Sequence, residues 1–74
     1  MNGIYEFAQK VLKNGKIIDE IEGYALVEAF GKTYVIQYDS EINLETMKII
    51  YKKTEAKTVA KMTQEEWVSM KSNL

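Results

Sequence analysis

Tyr24-Ala25-Leu26-Val27-Glu28-Ala29-Phe30-Gly31-Lys32-Thr33-Tyr34-Val35-Ile36-Gln37-Tyr38 is the stretch that decides the fold of this chain. Two apolar-rich runs alternate with a period of two on either side of Gly31-Lys32, and a two-residue loop with Gly first fits a type II′ hairpin turn. With Phe30 opposite Thr33, Ala29 faces Tyr34, Val27 faces Ile36 and Ala25 faces Tyr38 on one surface. That surface is apolar apart from the tyrosine hydroxyls, and its small residues oppose large ones. The other surface carries Leu26, Glu28 and Phe30 with Thr33, Val35 and Gln37, a mixture that suits water or a partner.

Upstream, Ile4, Phe7, Ala8, Val11 and Leu12 recur at i, i+3, i+4, i+7 and i+8, so Ile4 to Lys13 is expected to be an amphipathic helix. Asn2 is placed to cap its start and Asn14-Gly15 to stop it in the left-handed region. Its stripe is expected to dock on the Ala25/Val27/Ala29 surface through Phe7, Val11, Val27 and Ile36. Between helix and hairpin, Lys16 to Glu22 reads as a further strand, although Ile17, Ile18, Ile21 and Ala25 also fit a helical face.

Downstream, Asp39 to Glu45 reads as a connection. Asp39, Glu41 and Asn43 alternate as in the opening of an EF-hand loop, but Leu44 stands where that loop needs Gly and Ile50 where it needs Glu, so the calcium reading fails. Lys48 to Lys52 and Lys57 to Met62 are β-branched and aromatic enough to pair across Thr54-Glu55-Ala56 as a second hairpin, with a single helix over 47–62 as the rival. Thr63-Gln64-Glu65-Glu66 is a capping box, and Trp67, Met70 and Leu74 form the apolar edge of a short closing helix. The fold class is therefore α+β: one small domain, 1–74, with an N-terminal helix on a mainly antiparallel sheet of four or five strands and a short C-terminal helix.

Composition limits the chemistry. The chain has 74 residues, ten lysines and eleven acids, with no arginine, histidine, cysteine or proline. No thiol nucleophile, imidazole base, zinc site or disulfide is available, and no guanidinium fork for phosphate. Ser40, Ser69 and Ser72 have no histidine to activate them, and Asp19, Glu20 and Glu22 would work as paired carboxylates only inside a cleft that so small a domain is poorly able to build. Neither an enzyme nor a cofactor is expected. No apolar run approaches the roughly 20 residues of a membrane helix. No basic region precedes an apolar run at the N-terminus, so the chain is read as soluble and cytoplasmic, with no membrane partner.

The net charge of −1 conceals a dipolar distribution: residues 47–62 hold five lysines against Glu55, whereas residues 1–46 hold four lysines against eight acids. Lys48, Lys52, Lys53, Lys57 and Lys61, with Tyr51 among them, are the candidate nucleic-acid contacts; the competing reading is a sheet edge that uses lysine to block aggregation.

No motif identifies a family. The manner of the chain, a compact lysine-only acidic domain closing with Thr-Val-Ala-Lys-Met-Thr-Gln-Glu-Glu-Trp (residues 58–67), looks like the small accessory proteins of phages and prophages of low-GC bacteria. That resemblance of style implies an inhibitor or regulator that binds a macromolecule, commonly a protein. By elimination the leading expectation is a non-enzymatic protein-binding module whose interface is Tyr24, Leu26, Glu28, Phe30, Val35 and Gln37. Nucleic-acid binding through the lysine-rich segment is the alternative. A homodimer is favoured, because a small sheet with free edges gains burial by pairing with a copy of itself.

Overall fold

The computed structural model, which describes residues 3–74, opens with helix α1 (Gly3–Asn14), where the apolar stripe requires one. Ala8 and Val11 are fully buried and Leu12 packs beside them, but Ile4 is exposed and Phe7, expected among the docking residues, keeps over a third of its surface and lies outside the buried cluster. The expected cap, Asn2, lies outside the described residues. Gly15 ends the helix by a different route from the one expected, because its φ is not positive. Its N–H donates to the Val11 carbonyl at 2.9 Å. A Cβ on Gly15 would sit 2.3 Å from Val27 Cγ1 and 2.6 Å from the Val11 oxygen, so the glycine lets the helix end rest directly on the sheet.

Four strands follow among the described residues: β1 (Lys16–Ile21), β2 (Tyr24–Ala29), β3 (Lys32–Asn43) and β4 (Lys48–Lys61), before helix α2 (Gln64–Ser72). They form one antiparallel meander in the order β1-β2-β3-β4, so the α+β class holds. The strand reading of Lys16 to Glu22 holds too, with a bulge between Ile17 and Asp19.

The central hairpin forms, but with a different turn. Ala29 pairs with Lys32 and Val27 with Tyr34, which makes Phe30-Gly31 the loop. Phe30 has φ 54° and Gly31 φ 74°, so both central residues are left-handed, as a type I′ turn demands. The register is displaced by two residues from the expected one. Side chains alternate with the same period, so an even displacement leaves every residue on its expected face. Ala25, Val27, Ala29, Tyr34, Ile36 and Tyr38 accordingly form the core with Ala8, Val11 and Ala56.

The second hairpin is overturned. Lys48 to Lys61 is a single strand paired with β3, and Asp39 to Asn43 is the continuation of β3, so the segment expected as a connection is sheet. Tyr38 pairs with Ala56 but Asp39 with Lys52, leaving Lys53, Thr54 and Glu55 without partners on β3. Such extra residues bend and twist a strand. What reads as a turn at Thr54-Glu55-Ala56 is this bulge, and it brings the Ala56 N–H within 3.2 Å of Gln9 Oε1 on α1.

α2 packs on the sheet face opposite α1. Its capping box is present: Glu66 N–H donates to Thr63 Oγ1 and Thr63 N–H to Glu66 Oε1, each at 3.1 Å. Trp67 is buried and its Nε1 donates to Asp19 Oδ2 at 2.8 Å, on the face where Asp19 stands opposite Leu26. Leu74 lies beyond the helix and is exposed, so it adds nothing to that packing.

Candidate functional site

The far halves of β3 and β4 extend past both helices as a hairpin arm. Every residue from 40 to 50 is exposed except the half-buried Asn43. The turn at 44–47 is built by Asn43, whose Oδ1 accepts from the N–H groups of Glu45 at 2.9 Å and Thr46 at 3.2 Å. Met47, at φ 59°, closes the loop through its N–H to the Asn43 carbonyl at 2.7 Å. An Asx-type turn of this kind fixes the tip without any core beneath it.

Cross-strand pairing sorts the arm into two faces. Ile42 with Ile49 and Ser40 with Tyr51 share one; Glu41 with Ile50, Asp39 with Lys52 and Asn43 with Lys48 share the other. The first face is apolar toward the tip, where Ile42 is 58% exposed, Leu44 82% and Met47 72%. The second is charged, with an ion pair between Lys52 Nζ and Glu41 Oε2 at 3.9 Å. The base of the arm is fastened. Tyr51 lies on Gly23, where an added Cβ would come 2.9 Å from the ring. Tyr38 Oη donates to Glu20 Oε1 at 2.5 Å, and Lys53 Nζ stands 3.6 Å from Glu20 Oε2. Burial, and next the Glu20 carboxylate, raise the Tyr38 phenol well above its ordinary range.

The expected interface is not brought together as one surface. Leu26 is only 1% exposed and belongs to the interior on the α2 side. Phe30 sits in the turn and stacks toward α1, its ring centroid 6.3 Å from that of Phe7, which in turn meets Tyr34 edge-on at 5.4 Å. Tyr24 and Glu28 are exposed, whereas Val35 and Gln37 are half-buried and Gln37 Oε1 accepts from Thr58 Oγ1 at 3.4 Å.

The lysines all fall on β4, which is an outer strand. They are strung along its length, at roughly 3.3 Å per residue, and do not converge on a groove. Lys52 and Lys53 are held by Glu41 and Glu20, and Tyr51 is half-buried against Gly23; Lys48, Lys57 and Lys61 are exposed.

Asp19 and Glu20 are adjacent on β1 and point to opposite faces, the first to α2 and the second to Tyr38, so they form no carboxylate pair. Lys71 and then the Trp67 indole hold the Asp19 carboxyl down at about 2. Asp39, Glu41 and Asn43 lie along a strand in place of a loop.

The arm residues Ile42, Leu44, Met47 and Ile49 were not among the expected interface residues. Their signal in the sequence is a set of apolar side chains on either side of Asn43-Leu44-Glu45-Thr46 with no helix left to cover them. Among the described residues, no helix is long and apolar enough to cross a membrane. No protein-family model, curated protein or solved structure matches this chain.

Proposed function

We propose that this protein is a non-enzymatic protein-binding module and that the β3–β4 arm is its contact element. The observation that carries the reading is the exposed set Ile42, Leu44, Met47 and Ile49 on a turn that the chain builds with its own hydrogen bonds. These side chains gain no burial when the chain folds, so they contribute little to its stability and remain available to a second surface; an apolar set backed by the charged face of Glu41, Lys48 and Lys52 has the composition of an interface centre. The partner is a protein with an apolar cleft that accepts a preformed hairpin, whose activity is then blocked or altered, as the resemblance to phage accessory proteins implies.

The test is a pair of variants. Ile42→Ser with Ile49→Ser, and separately Leu44→Ser, should leave the melting transition nearly unchanged, because exposed positions usually alter stability by no more than about 0.5 kcal/mol. Each should remove a protein captured from lysate by the parent chain, and that capture should survive high salt. Retention by both variants removes the arm from the interface. Capture that disappears with salt and returns nucleic acid favours the lysine reading instead.

A further inference from the structure

We infer a second binding site, independent of the arm, at the opposite end of β4: the open edge at Val59 to Lys61 is a strand-addition site for an extended acidic peptide segment of a partner protein.

The backbone geometry is the first ground. Met62 N–H donates to the Thr33 carbonyl at 3.2 Å. The ladder from Tyr34↔Lys61 to Gln37↔Thr58 keeps one register, and bonded pairs alternate along an antiparallel ladder. Ala60 and Thr58 therefore exchange bonds with β3, while the N–H and C=O groups of Val59 and Lys61 point outward from the sheet. Among the described residues no hydrogen bond outside the ladder reaches either of them. β4 is the last strand of the sheet, so these groups form an open rung.

The second ground is a depression beside that rung. An open hollow of about 310 Å³ is bounded by Ile4, Phe7 and Tyr34 on one side and by Val59, Ala60 and Lys61 on the other. A strand laid on the edge of β4 would place alternate side chains on the α1 side, over this hollow. Edge backbone for affinity and a pocket for one side chain are the two elements by which sheets capture extended peptides.

Charge selects the occupant. Lys57 and Lys61 stand at this end of β4, and among the described residues neither has an acid within ion-pair distance, whereas Lys52 and Lys53 are paired with Glu41 and Glu20. Like charges disfavour pairing β4 with β4 of a second copy, and β1, the acidic edge, is bulged and has its Asp19 and Glu20 carboxylates engaged within the chain. An acidic strand with an apolar residue facing α1 meets neither obstacle.

The experiment uses the full chain, isotope-labelled, with the synthetic peptide Glu-Val-Glu-Leu-Glu-Val-Glu as probe. Amide shifts should change at Val59, Ala60, Lys61 and Phe7 and not at Ile42 to Ile50. The same peptide N-methylated at alternate residues, which cannot complete the ladder, should bind about ten-fold more weakly. Lys61→Gln should weaken the parent peptide about two- to three-fold, the size of one exposed charge pair, and Lys61→Pro, which removes an outward N–H, about ten-fold. Because the N-methylated probe leaves the protein intact, the result stands even if Lys61→Pro fails to fold. No shifts at millimolar peptide, or equal binding of the N-methylated peptide, overturns the proposal. So does equal binding of Lys-Val-Lys-Leu-Lys-Val-Lys, or tighter binding of oligothymidylate at the same residues. Shifts at Val59 to Lys61 that depend on protein concentration without peptide would make the occupant a second copy, and would overturn it also.

Discussion

Trp67 Nε1 and Asp19 Oδ2 are 2.8 Å apart, and this bond joins α2 to β1 across 48 positions of sequence. Lys71 Nζ reaches the same oxygen at 2.5 Å, so one carboxylate oxygen takes both α2 donors. A short helix with one buried residue is held by this clasp and its capping box.

The clasp gives a pH dependence. Asp19 is held at about 2 from an ordinary 3.8, by Lys71 first and Trp67 second. A carboxyl with a lowered folded pKa stabilises the fold above its unfolded pKa and loses that contribution as pH falls through the folded one. The clasp should be intact above about pH 4 and weaken between about 4 and 2. Trp67 is the single tryptophan, so a red shift of its emission over that window, reproduced at neutral pH by Asp19→Ala, reports release of α2. Emission that stays constant down to pH 2 in the parent would show that Asp19 does not hold the helix.

At the alkaline end Tyr38 acts in the opposite sense. Its phenol is raised above the ordinary 10.0 by burial and by Glu20, so its contribution is complete below pH 10 and is lost as pH rises beyond it. In a tyrosinate absorbance titration one phenol should appear late, together with unfolding. Tyr38→Phe should remove that late component.

Core truncations should rank by burial. Ile36 is fully buried, whereas Phe7 keeps 37% of its surface. Ile36→Ala should cost about 2–5 kcal/mol and Phe7→Ala less than that, measured by denaturant unfolding. An equal or larger loss for Phe7 would mean that its contacts with Phe30 and Tyr34 outweigh the core beneath α1.

Two glycines should respond differently to alanine. At Gly31 nothing lies within 4 Å of an added Cβ, so Gly31→Ala costs only the left-handed backbone, about 1 kcal/mol. At Gly15 the methyl group meets Val27 Cγ1 at 2.3 Å and two backbone oxygens within 2.9 Å, which cannot yield without moving helix from sheet. Gly15→Ala should therefore be the more damaging, at about 2–3 kcal/mol or beyond, and thermal melts of the pair decide it.

The sequence alone determines the features whose causes are local. The stripe from Ile4 to Leu12 makes α1, the alternation from Tyr24 to Tyr38 separates the two hairpin faces, and Thr63 with Glu66 starts α2. Face assignment survived even a turn displaced by two residues, because the side-chain period is two. Tertiary structure decided what depends on distant partners. Asp39 to Asn43 is strand because Lys48 to Lys52 pairs with it, yet water reaches both faces there and leaves no burial pattern to read. The bulge at Lys53 to Glu55 mimics a turn in sequence, and only packing against Gln9 of α1 and pairing with Glu20 distinguish it. Leu26 looked available because nothing in its own neighbourhood shows that Trp67, far along the chain, bonds Asp19, the cross-strand partner of Leu26. The arm was hidden for the same reason: its apolar residues are recognisable as unpartnered only after every other element has taken its place.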